Sequence, residues 1–115
     1  MFMNSKAKTI KELENFNTNK VTDMHWMFMG SNATELNVSN FNTPNVINMA
    51  SMFQETKVTT LDLSGFDISK GENIKNMFAW SSATTGYAKD QVTADKFNDY
   101  SVTLISNKLK FVVKQ

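Results

Sequence analysis

The sequence predicts an α/β fold: a solenoid of strand–helix units with a parallel strand ladder, closed at its C-terminal end by a helix and a β-hairpin. Three observations carry this prediction. The segment from Phe16 to Phe28 recurs from Phe41 to Phe53 and again from Phe66 to Phe78, at an offset of 25 residues and without a gap. Within each unit a short apolar alternation is followed by an apolar stripe at helical spacing. After Thr84 the pattern decays into a tail of different character.

The first element is a remnant. Met1-Phe2-Met3 matches Met27-Phe28-Met29 at an offset of 26, and Ile10 and Leu13 stand roughly where Leu36 and Val38 stand. In the complete units, Leu36 and Val38, and then Leu61 and Leu63, lie two residues apart. Side chains so spaced share one face of a strand, which predicts strands near 36–39 and 61–64. Val46, Met49, Met52 and Phe53 then follow at i, i+3, i+6 and i+7, one stripe of a helix. Asn17, Asn42 and Asp67, or the Thr and Ser just after them, supply side-chain oxygens for the free amides of a first helical turn. Pro44 suits that turn because its missing N–H is not needed there. Helices are therefore predicted near 19–28, 44–53 and 70–78. One unit cannot stand alone, since its few apolar side chains do not offset the conformational entropy of ordering it. Stacked units would share their hydrophobic layers, with parallel strands on one wall and helices on the other.

The tail reads as a cap. Val92, Ala94 and Phe97 are spaced for a helix over 88–98. Two apolar runs, 101–105 and 108–114, flank Ser106-Asn107 and predict a β-hairpin. The chain thus divides into a repeat region, 1–84, and a cap, 85–115. The N-terminal end carries no comparable pattern. We expect further repeats upstream and, without them, an exposed apolar end able to self-associate.

The run Leu61-Asp62-Leu63-Ser64-Gly65-Phe66-Asp67, together with Val46, Met49, Met52 and Phe53, resembles the 25–26-residue repeat of bacterial surface proteins with BspA-like leucine-rich repeats. That repeat has the form LDLSxFDTSxVTxMxxMF, and the resemblance covers roughly residues 10–84. It implies a leucine-rich-repeat-like solenoid on the exterior of bacteria, mycoplasmas and Gram-positives included. It also implies adhesion through host or matrix protein or glycan, and it supplies no catalytic residues. The third unit departs from the form at Gly71, where the helical valine is lost, and at Ile68, where Thr is usual. Both changes suit a terminal unit with a weaker helix.

Composition narrows the function classes. Twelve lysines against eleven acids give a net charge of +1, so neither nucleic acid nor an anionic membrane is indicated as a partner. There is no arginine, which excludes bidentate guanidinium recognition of phosphate. There is no cysteine, which excludes disulfides, thiolate metal sites and cysteine nucleophiles. No run of 18 apolar residues exists to insert in a membrane, and no signal peptide opens the sequence. Any export signal and anchor would lie outside it.

No catalytic, metal or cofactor site is predicted. His25 is the single histidine and aligns with Ala50 and Lys75, a variable and solvent-facing position without ligand partners. The aspartates follow no calcium-loop pattern, and Asp67 serves as a helix-start residue. Six methionines (24, 27, 29, 49, 52 and 77) lie at or beside the repeat stripes and read as core. Trp26 aligns with Ser51 and Asn76, and Trp80 with Gly30 and Glu55. Positions that accept polar residues are exposed, and exposed tryptophans are favoured binding anchors. Trp26, Trp80 and His25 are therefore the candidate binding residues of a non-catalytic surface module. The alternative is a passive spacer that presents another domain of a larger surface protein.

Overall fold

The computed structural model describes Thr18 and residues 20–38, 40–69, 73–103 and 108–114. Its regular elements are strand β1 (Thr60–Asp62), strand β2 (Thr85–Ala88), helix α1 (Gln91–Phe97), helix α2 (Tyr100–Thr103) and strand β3 (Lys110–Val113). The strands form one parallel sheet in the order β1-β2-β3. Thr60 stands opposite Thr85 and Thr85 opposite Lys110, so the 25-residue period continues through β3. The predicted strand near 61–64 is β1. Residues 36–38 take no strand, although Leu36 and Val38 are buried as their spacing predicts.

The predicted repeat helices do not form. The described parts of 19–28, 44–53 and 70–78 are turns and isolated bridges. Their amides alternate between two kinds of partner. Met24, Trp26, Phe28 and Gly30 donate to Asn48, Ala50, Met52 and Gln54 in the next unit, over 2.8–3.0 Å. Met27, Met29 and Ser31 donate three residues back within their own unit. One unit on, Met49, Ser51, Phe53 and Glu55 donate to Asn73, Lys75, Met77 and Ala79. A helix would satisfy all of these amides internally; here half of them tie one unit to the next.

Two local features exclude the helix. Asp23, Asn48 and Asn73 each accept the amide two residues on through a side-chain oxygen, at 3.0–3.1 Å, in competition with a helical start. Trp26, Ser51 and Asn76, with φ of 60°, 57° and 56°, are left-handed and cannot continue a right-handed helix.

The core is built from the repeat positions. Phe28, Phe53 and Phe78 are fully buried and stack in a row, with ring centroids 5.4 and 5.9 Å apart. Phe41 and Phe66 form a second row at 6.1 Å. Each buried phenylalanine contributes about 1.5–3 kcal/mol of apolar burial, and offset aromatic pairing adds about 0.5–1.5 kcal/mol. Five of the six repeat methionines are buried in the same core.

The tail departs from the hairpin prediction. Residues 101–103 belong to α2, and β3 pairs parallel with β2; the predicted turn at Ser106-Asn107 lies outside the described residues. Asp99 explains the helical turn, since its carboxylate accepts both the amide and the hydroxyl of Ser101. The carbonyls of Ser101 and Val102 then accept the amides of Asn76 and Phe78, so α2 covers the edge of the third unit. The tail helix appears as α1, entered through Asp90, whose side chain accepts the Thr93 amide at 2.8 Å. Phe97 of α1 and Phe111 of β3 close the first phenylalanine row against Phe78.

Candidate functional site

The turn segments of the units carry left-handed residues at two recurring positions. One holds Trp26, Ser51 and Asn76; the other, four residues on, holds Gly30, Glu55 and Trp80, with φ of 70°, 59° and 62°. Glycine is the residue best suited to this backbone, and the first unit has it at the second position. Tryptophan at such a position bears a backbone cost of about 1 kcal/mol or more.

The Trp26 backbone is held on both sides, and both tryptophan side chains stand about half exposed. The Trp26 amide donates to Ala50 in the next unit and its carbonyl accepts the Met29 amide. Its indole is 50% exposed, and that of Trp80 is 56% exposed. Both positions are thus as accessible as the alignment predicts.

His25 is exposed and packs edge-on against the Trp26 ring, with centroids 4.8 Å apart. Its Nδ1 meets the Asp23 carboxylate, which also accepts the His25 amide at 3.0 Å. The His25 amide and then its ring hold the Asp23 carboxyl below its ordinary value, against a small opposing effect of burial. The aspartate so orients the imidazole beside the indole.

The structure brings His25 and Trp26 together but does not bring Trp80 to them. Trp80 lies two units away, roughly 10 Å across the ladder at the usual spacing of about 4.8 Å between paired backbones. Gln54, Glu55, Lys75 and Asn76 lie on the turn segments between the two indoles and are at least partly exposed. Polar residues thus predominate on the exposed turn positions of the units that lead from Trp26 to Trp80. Among the described residues no three His, Cys, Asp or Glu side chains gather to hold a metal ion. A groove of about 520 Å³ lies elsewhere, between α1 and β3, lined by Gln91, Asp95, Asn98 and residues 110–113.

A family model described as Mycoplasma protein of unknown function, DUF285, matches residues 1–110. The chain belongs to the DUF285 family. This is a repeat family, consistent with the 25-residue period seen in the sheet register. No curated protein and no solved structure matches the DUF285 chain. None of its described helices is long and apolar enough to cross a membrane.

Sequence reasoning found the two tryptophans but not why they protrude. Gly30 was the available signal, because a glycine aligned with Glu55 and Trp80 marks a position of positive φ. The bonds of the Asn98 side chain to the Phe111 backbone have no local signal in the sequence.

Proposed function

We propose that this DUF285 chain is a non-catalytic binding module of a bacterial surface protein. In this reading its units stack as a leucine-rich-repeat-like solenoid of the BspA-like kind, and its ligand is a host or matrix protein or a glycan. Binding takes place on the turn segments that lead from Trp26 to Trp80, with His25 at their margin. One observation carries the reading: two tryptophans stand more than or about half exposed at left-handed positions where glycine or a small polar residue would cost less. About half of each indole faces outward, where it is available to a ligand.

The test is a binding screen of the chain against extracellular-matrix proteins and a glycan array, with Trp26→Ala and Trp80→Ala in parallel. The reading expects a hit that either substitution weakens at least tenfold while leaving the circular dichroism spectrum unchanged. A blank from the folded chain, or a hit that both variants retain in full, would overturn it. The blank would favour a passive spacer that presents another domain.

A further inference from the structure

We propose that Asn98 stands in for a missing strand and prevents the open edge of β3 from pairing with a second copy of the chain. Among the described residues β3 is the last strand of the sheet. The Lys110 and Lys114 amides donate to Thr84 and Ala88 on the β2 side. In a parallel ladder alternate residues face opposite neighbours, so Phe111 turns its amide and carbonyl the other way, toward the edge. There the Asn98 side chain meets both. Its Oδ1 accepts the Phe111 amide at 2.7 Å and its Nδ2 donates to the Phe111 carbonyl at 3.0 Å. This is the pair of bonds that one residue of an antiparallel neighbouring strand would make.

Asn98 is held for this purpose by the end of α1, where its own amide donates to the Ala94 carbonyl at 3.0 Å. The strand it covers, Lys110-Phe111-Val112-Val113, is rich in β-forming residues and lines the groove between α1 and β3. Uncovered, such an edge is a template for pairing. A second copy is the fitting occupant because the same edge meets itself about a two-fold axis, each chain offering an identical strand. This closure acts at the opposite end of the fold from the Trp26 turn and is independent of the proposed binding function.

Amide exchange followed by NMR, with sedimentation over a range of concentrations, tests the proposal. In the wild-type chain the Phe111 amide should exchange about tenfold or more slowly than an edge amide with no partner, as a formed hydrogen bond requires. Asn98→Ala should abolish that protection while the Val112 amide stays protected, and should convert a monomer into a concentration-dependent dimer. Asn98→Ser, too short to reach both Phe111 groups, carries the same test if the alanine variant does not fold. Rapid exchange of Phe111 in the wild type overturns the proposal, and so does a folded variant with an unprotected Phe111 that remains monomeric at all concentrations.

Discussion

Glu55 and Gly86 show how single residues meet the demands of the 25-residue period. Glu55 is exposed at φ 59°, in the position that Gly30 fills one unit earlier. Glu55→Gly relieves a left-handed backbone worth about 1–3 kcal/mol, against an entropic cost of roughly 0.5–1 kcal/mol for the added glycine. We expect a net gain of about 0.5 kcal/mol or more, read as a higher urea midpoint at unchanged slope. A lower midpoint would mean that the Glu55 side chain contributes a contact outweighing the strain. Gly86 stands where Leu61 stands in β1, and a Cβ there would overlap the Phe111 ring. That ring is 1% exposed and packed against Phe78 and Phe97, so it has no room to give way. Gly86→Ala should cost about 1–3 kcal/mol by overpacking. Thermal unfolding checks this, and an unchanged midpoint would show the ring to be mobile.

Between elements, the joints are threonine hydroxyls and turn amides rather than helix faces. The Thr43 hydroxyl donates to the Asp67 carbonyl and accepts the Asp67 amide at 2.9 Å, 24 residues away, as Thr18 does with Asn42. Thr43→Val keeps the shape but leaves the part-buried Asp67 amide without its side-chain partner, at a cost of about 1 kcal/mol. Chemical denaturation should show the loss, and a loss below about 0.5 kcal/mol would mean that water replaces the hydroxyl. At the corresponding place in the third unit Ile68 is buried, and the unit that follows carries α1.

The turn segments also explain what the sequence misreads. Met24, Met27, Phe28 and Ser31 are buried, as are Met49, Met52, Phe53 and Thr56. Their i, i+3, i+4, i+7 spacing is that of a helix stripe, yet successive turns with left-handed residues produce it without a helix. Apolar spacing reports which residues face inward and not which backbone carries them. The burial of the core, the parallel sheet and the exposure of Trp26 and Trp80 were therefore legible. The turns were not, because Asp23, Asn48 and Asn73 fall inside the predicted helical stripes, where apolar spacing carries no sign of the side-chain bonds they make to the amides two residues on. The hairpin prediction failed because residues 101–103 are helical and β3 pairs with β2, its Phe111 opposite Gly86 and packed on Phe78, which no local pattern reveals.

Across the whole molecule, charge is local and stability should follow its aspartates. Burial pushes the Asp62 carboxyl up, but the Lys114 ammonium and the Ser64 hydroxyl and amide outweigh it, and the net shift is downward from 3.8. The Ser69 hydroxyl and amide lower Asp67, those of Thr93 lower Asp90 and those of Ser101 lower Asp99. A carboxyl with a depressed folded value contributes stability that is complete above its unfolded value and is lost as pH falls through the folded one. Urea midpoints should therefore hold steady above the ordinary carboxylate range of about 4 and decline below it. A rise in stability on acidification would contradict these assignments.

The 25-residue units should be interchangeable copies of one design, joined backbone to backbone. Deleting residues 41–65 tests this most directly. That deletion removes one complete period, joins Asn40 to Phe66 where Gly65 stood, and retains both tryptophans and the whole tail. The account predicts a cooperatively folded, less stable protein with near-native circular dichroism, whereas deletion of 41–64, one residue short of the period, fails to fold. If the two deletions behave alike, both folded or both unfolded, the period is not the unit of construction and the account is wrong.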